Sequence, residues 1–228
     1  MASNFASSPA VVLRNVRLQW GDLFTAASGE IGGKKTDPKF KAIALFEKES
    51  EAMAVGRKAL LDAAVALWGP NAANVVAQIS ANSKAIRDGN SKLNDDGSTR
   101  PEFKDMFFVS ASNKQRPQVI APKLLDGKYV TITEAGRGMV NGIDVTDQLG
   151  YTLKVPYRGC YVNLKVQFVA GKAFKASSGE MIPNQVYAKL EAVQFLRDGE
   201  AFGAGPTSAE GFGDEEVDDA TVDASALF

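Results

Sequence analysis

The sequence predicts a mainly β domain, a small closed barrel with a helical insertion (α+β), followed by an acidic tail that does not fold by itself. Three observations carry this. Segments of alternating apolar and polar residues occupy the start and the second half of the chain. One block of helical periodicity, at about residues 50–84, interrupts them. Beyond Arg197 the chain has no basic residue at all. Strands, then helices, then strands suit a closed barrel with an insertion better than alternating βαβ units. A length of 228 residues suits one decorated domain plus a tail.

Residues 1–9 are small and polar and are expected to be flexible. In VVLRNVRLQW (11–20), Val12, Val16, Leu18 and Trp20 share one parity, with Arg14 interrupting, which reads as a strand. SGEIGGKKTDPK (28–39) is a Gly/Lys/Pro loop. KFKAIALFEK (39–48) is a second strand, with Phe40, Ala42, Ala44 and Phe46 opposing Lys39, Lys41, Ile43 and Leu45. Ser50 offers an N-cap with Glu51 in the first turn. Met53, Leu60, Leu61, Val65 and Trp68 recur at helical spacing up to Gly69-Pro70, which stops the helix. That apolar stripe is expected to face the core. A shorter second helix is expected within 71–84.

Residues 87–105 are loop, with two Asp-Gly pairs and a proline. MFFVSAS (106–112) and KYVTIT (128–133) are short strands, and 136–150 is turn-rich. The clearest strands come late. In 160–169, Cys160, Val162, Leu164, Val166 and Phe168 oppose Tyr161, Asn163, Lys165 and Gln167. In 185–196, Val186, Ala188, Leu190 and Ala192 oppose Tyr187, Lys189 and Glu191. The barrel domain is therefore placed at 10–197 and the tail at 198–228.

Net charge is −1, but the average hides a division. All 26 Lys and Arg lie in 1–197 together with 18 of the 27 acids, so that part carries +8 and the remainder −9. This asymmetry points to a body that binds a polyanion. With no histidine, the commonest neutral-pH acid–base and zinc ligand is absent, and triads are excluded. The lone Cys160 excludes an intramolecular disulfide, which suits a reducing cytoplasm. No apolar run is long enough for a membrane span, and the N-terminus lacks a signal-peptide pattern. GRGMVNG (136–142) lacks the Gly-Lys-Ser/Thr ending of a P-loop. No cofactor and no catalysis are expected.

Aromatic rings interleaved with cations suit single-stranded nucleic acid, since bases stack on rings while lysines neutralise phosphates. The tail from Gly199 is rich in Gly, Ala, Pro and Ser and then turns acidic, a composition that cannot bury enough apolar surface to fold alone. Its final Leu227 and Phe228 fit a basic-rimmed hydrophobic pocket on a partner.

WG at 68–69, IRDGN at 86–90, PYRGCYVNLKVQF at 156–168 and NQVYAKLEAVQFLRDGEAFGAG at 184–205 resemble a phage protein family long catalogued as a domain of unknown function. Its members are single-stranded-DNA-binding proteins with an OB-type barrel, and the resemblance runs from about residue 10 to 213. It implies an OB-fold-like barrel, single-stranded DNA as partner, and a phage protein working in the host cytoplasm. The tail is similar in kind to those of bacterial and phage single-strand binding proteins. That likeness implies recruitment of replication and recombination proteins, and competition with DNA for the cleft.

From strand parity and charge, the expected stacking rings are Trp20, Phe108, Tyr157, Tyr161 and Tyr187. The expected phosphate contacts are Lys39, Lys41, Arg87, Arg116, Arg158, Lys165 and Lys189. In the tail, Asp214, Glu215, Glu216, Asp218, Asp219, Asp223, Leu227 and Phe228 are the expected partner-binding residues. Three alternatives stay open: a strand-annealing protein that also accepts RNA, a carboxylate–magnesium nuclease built on Asp88, Asp95 and Asp96, and an assembly adaptor for which DNA is incidental.

Overall fold

A computed structural model describes residues 3–31, 34–175, 179 and 181–203. In chain order the strands are β1 (Phe5–Ser7), β2 (Val11–Ala27), β3 (Glu30–Ile31), β4 (Lys34–Lys35), β5 (Lys39–Phe46), β6 (Ile86–Asp88), β7 (Phe107–Asn113), β8 (Gln118–Leu125), β9 (Lys128–Ile132), β10 (Gly138–Val140), β11 (Ile143–Asp144), β12 (Tyr161–Gly171), β13 (Phe174–Lys175), β14 (Met181–Ile182) and β15 (Gln185–Arg197). Helices α1 (Glu51–Trp68) and α2 (Ala72–Gln78) fall between β5 and β6.

Five strands close a ring in the order β12–β2–β5–β7–β15, and β15 pairs back onto β12. The β7–β15 pair is parallel and the other four are antiparallel. This is a five-stranded Greek-key barrel of OB type. β15 changes partner along its length. It pairs with β7 at Ala188 and Lys189, then with β8 at Ala192 to Gln194. The hairpin β8–β9, extended by β10 and β11, carries the sheet beyond the barrel.

The interior follows the alternation of the late strands. Cys160, Val162, Leu164, Val166 and Phe168 are fully buried. Simple parity fails at three bulges, where one extra residue swaps the faces. In β2, Asn15 adopts φ 51 opposite Asn163, and a second irregularity falls between Leu18 and Trp20. Leu13, Val16, Leu18 and Leu23 therefore point inward, while Val12 and Trp20 do not share their face. In β15, Lys165 pairs with Ala192 but Val166 pairs with Leu190. Glu191 is the extra residue. Val193 and Phe195 take the core positions, and Ala192 stands with Lys165 on the outer face, a correction to the uniform alternation.

Ser50 caps α1 by accepting the Met53 N–H, and Gly69 ends it at φ 58. Of the expected stripe, Met53, Leu60 and Trp68 face the core and Leu61 and Val65 do not. Leu61 and Val65 are about half exposed, and the buried positions include Ala52, Met53, Gly56, Ala59 and Ala63. Small residues let the helix lie close to the barrel: a Cβ at Gly56 would stand 2.9 Å from Ile86 Cδ1 and 3.5 Å from Leu13 Cδ2. The second helix stops at Gln78, short of the expected 84.

Candidate nucleic-acid interface

The outer face of β2, β5 and β7 is assembled by register. Arg17 pairs with Leu45, which pairs with Phe108. Trp20 pairs with Ile43, which pairs with Ser110. Asp22 pairs with Lys41, which pairs with Ser112. β6 adds Arg87 beside Phe108. The parallel β15 adds Lys189 beside Ser112. These residues face outward because Ala42, Ala44, Val109 and Ala111 on the same strands face the core. In OB barrels the face of the second and third strands is the usual oligonucleotide surface.

Cations gather on this face. The Arg87 guanidinium lies 5.1 Å from the Phe108 ring centroid and the Lys92 ammonium 5.4 Å from it. The Lys92 pKa is pushed down, first by burial and then by the positive charges of Arg87, Arg100 and Lys41. Burial also pulls down the Arg87 pKa, and its Nε is buried without a hydrogen-bond partner among the described residues. Lys41, Arg87, Lys92 and Arg100 make no ion pair among the described residues. Mutual repulsion in a partly dry site is relieved by an incoming anion.

Beside this cluster lies a groove of about 540 Å³ lined by Trp20, Lys41, Ile43, Arg100 and Arg158. Trp20 is 42% exposed, and its indole N–H donates to Asp22 Oδ2 at 3.1 Å. Arg158 donates from Nε to Gln19 O at 3.0 Å and holds its guanidinium 5.4 Å from the Trp20 ring. Nearby, Gln19 Nε2 donates to Glu102 Oε1 at 3.3 Å, so this carboxylate is engaged at the rim. The arrangement offers an aromatic platform edged by cations, which suits stacked bases and a tracked phosphate backbone.

The structure brings Trp20, Lys41, Arg87 and Arg158 together, with Lys39 two residues along β5 from Lys41 and Lys189 one strand beyond Ser112. Tyr187, 41% exposed, lies two residues from Lys189 on β15. Arg116 lies on the link between β7 and β8, its guanidinium 5.4 Å from the Phe24 ring.

Phe108 is a correction. It is 1% exposed, packed edge-on against Phe103 at 5.3 Å, and covered by Arg87 and Lys92, so it forms the floor and presents no face to a base. Tyr157 is half-buried, with its hydroxyl 3.0 Å from Asp198 Oδ1 and 2.9 Å from Gly199 O. On β12, Lys165 lies across the barrel, whereas Tyr161 pairs with Arg17 at the border of this face. Tyr161 is covered by Arg197 at 3.5 Å from its ring centroid, and Lys165 is paired with Glu191 at 3.4 Å. Asn163, on the same strand, donates to Gln194 and accepts from the Asn15 N–H.

Asp88 and Asp96 have turn roles. Asp88 accepts the Asn90 N–H, and Asp96 accepts from the N–H and hydroxyl of Ser98. Among the described residues no three carboxylates, cysteines or histidines come together as a metal site.

Lys92, Arg100, Arg17 and Phe202 stand outside the expected contact list. Lys92 and Arg100 belong to a turn-rich loop, and only its packing against β7 aims them at Arg87. Phe202 stands alone in a Gly/Ala stretch, the one signal that could have marked it. The packed chain runs six residues past the boundary placed at 197. Asp198 pairs with Lys154 at 2.5 Å, Arg17 Nη2 donates to Glu200 O at 2.6 Å, and the Phe202 N–H donates to Arg158 O at 3.3 Å. The Phe202 ring lies 4.1 Å from the Arg17 guanidinium and packs on Leu45, Phe103 and Phe108. Asp214, Glu215, Glu216, Asp218, Asp219, Asp223, Leu227 and Phe228 lie outside the described residues.

Comparison with known proteins gives concordant results. A putative protein p50 of Acyrthosiphon pisum secondary endosymbiont phage 1 is 31% identical over 215 residues, covering 90% of this chain and 92% of that one. Among solved structures, the single-stranded DNA-binding protein from bacteriophage Enc34 in complex with ssDNA matches with a TM-score of 0.53 at 17% identity, over 85% of this chain and 89% of the other. A second structure of the single-stranded DNA-binding protein from bacteriophage Enc34 matches with a TM-score of 0.50 at 18% identity, over 87% of each chain. At such identities these two likenesses speak for the fold. The family model described as Enterobacter phage Enc34, ssDNA-binding protein, matches residues 9–222, so the chain belongs to the family of that phage protein.

Proposed function

We propose that this protein binds single-stranded DNA without reading its sequence, on the outer face of β2, β5 and β7. The observation that carries the proposal is the group of four cations, Lys41, Arg87, Lys92 and Arg100, unpaired among the described residues and set beside the exposed Trp20. Phosphates would be neutralised by the cluster and by Arg158, with Lys39, Arg116 and Lys189 at its margins. A base would stack on Trp20, and Tyr187 would serve a second one. Membership of the Enc34 family supports the same reading. Such a protein coats and protects single strands during phage replication and recombination.

The tail completes the proposal. Its root, residues 198–203, ends on the cationic face, with Phe202 packed on Leu45 and Phe108. Asp214 follows only eleven residues beyond Gly203 in the sequence. The carboxylates of 214–223 would therefore compete with phosphates for one surface, while Leu227 and Phe228 would recruit replication or recombination proteins. A salt titration of oligo-dT binding by the full chain and by residues 1–213 tests both halves. A steep fall of affinity with salt is expected, together with tighter binding by the truncated chain. Salt-independent or absent binding would overturn the DNA reading. Equal affinities would remove the competition and leave recruitment, which deletion of Phe228 tests in a pull-down with host replication proteins.

A further inference from the structure

On the other side of the barrel a second groove, of about 440 Å³, crosses β2, β12, β15, β8 and β9, with Val12, Arg14, Ile120, Tyr129, Lys165 and Gln194 among its lining. The bulges create it. The irregularity opposite Asn163 places Arg14 outward, and the bulge at Glu191 turns Ala192 and Gln194 outward. Tyr129 stands at its edge 66% exposed, more open than Trp20 at 42%. The floor is already settled. Asn163 Nδ2 donates to Gln194 Oε1 at 2.8 Å, and Gln194 Nε2 donates to Ala121 O at 3.2 Å. What stays open to a ligand is a ring, apolar surface and the Arg14 guanidinium, which makes no ion pair among the described residues. Lys165 is held by Glu191, the carboxylate that lines the groove.

The two grooves are neighbours along β15. This strand leaves β7 after Lys189, at the margin of the first face, and joins β8 at Ala192, in the lining of the second groove. Two residues, Leu190 and Glu191, separate them, a rise of about 10 Å over three steps of extended chain. We infer that the second groove is a further single-stranded nucleic-acid subsite, taking the continuation of a strand already held on the first face. Tyr129 is its stacking ring, Arg14 is its phosphate contact, and Glu191 restrains it. The inference rests on the DNA reading of the first face, and it gives the protein two modes. Short strands occupy one face, and longer strands pass over β15 to the other.

The test compares the full-length protein with its Tyr129→Ala, Arg14→Gln and Glu191→Gln variants, on oligo-dT of about 8 and about 20 nucleotides. Tyr129→Ala and Arg14→Gln are expected to weaken binding of the longer strand by about tenfold and to leave the shorter unchanged. Glu191→Gln, by releasing Lys165, is expected to tighten the longer strand only. That gain in affinity is one that damage to the fold would not produce. Unchanged affinity of all three variants for the longer strand, or equal losses on both lengths, would overturn the second subsite while the first face stands. Absence of binding of either strand by the unaltered protein would overturn both readings together.

Discussion

On the proposed binding face, Lys92 would serve binding at the expense of the fold. Its ammonium faces Arg87, Arg100 and Lys41 in a partly dry setting, which pushes its pKa down. A lysine whose pKa is lower folded than unfolded destabilises the fold wherever it is charged, so the penalty is fully present at neutral pH and vanishes only above the usual lysine value of about 10.4. Lys92→Met is therefore expected to raise the melting temperature while weakening oligo-dT binding, and its salt slope should fall by about one unit. Bound phosphates raise the lysine pKa again, so the unaltered protein takes up protons on binding in the alkaline range. Its affinity should fall there as pH rises, and less so in Lys92→Arg, measurable by oligo-dT titration at a series of pH values. Trp20→Ala is expected to cost about 1–3 kcal/mol of binding, the contribution of one stacked base. Cys160 is the opposite kind of residue. Fully enclosed, with its thiol pushed up by burial to about 11, it should resist alkylation in the native protein and react only on unfolding, as mass spectrometry would show.

The loop from β6 to β7 is the element that makes the first face. Its register with β7 puts Arg87 over Phe108, and the Gly89 N–H donates to Met106 O at 2.8 Å to close it. A Cβ at Gly89 would stand 2.2 Å from Phe103 O and 2.6 Å from Met106 O, both backbone atoms that cannot swing aside. Gly89→Ala is expected to open this closure, lower stability by about 1–3 kcal/mol, and scatter Arg87, Lys92 and Arg100. Thermal melts and oligo-dT binding should both fall. Sequence patterns marked this stretch as turns, correctly for Asp88 and Asp96, and marked Arg87 as a phosphate contact, but gave no sign that Lys92 and Arg100 converge on it. Turn chemistry is local, whereas the convergence of Lys92 and Arg100 on Arg87 depends on where the loop lands. The bulges of β2 and β15 teach the same lesson about strands. One extra residue reverses every later side chain, and no periodicity within a single strand records it.

At the scale of the molecule, one barrel presents two outward surfaces, and Phe202, near the end of the described residues, packs against the first of them. A chain cut after Gly203 keeps that packing and loses the acids, so it should bind oligo-dT more tightly than the full chain at low salt. The difference should shrink as salt rises, because both competitors are polyanions. The sequence by itself determined the mainly β class, the place of the helical insertion, the inward row from Cys160 to Phe168, and the split between a basic body and an acidic tail. These follow from composition and short-range periodicity, which each stretch of chain carries within itself. Tertiary structure alone decided which rings are free. Phe108 became a floor because it packs on Phe103, Tyr161 was covered by Arg197, and Lys165 was neutralised by Glu191. It also decided which cations stand together, since Lys41 and Arg100 lie far apart in the chain and meet only where β5 and the loop before β7 share one face. The physical reason is that burial and electrostatic environment belong to neighbours in space, and closure of the barrel chooses those neighbours.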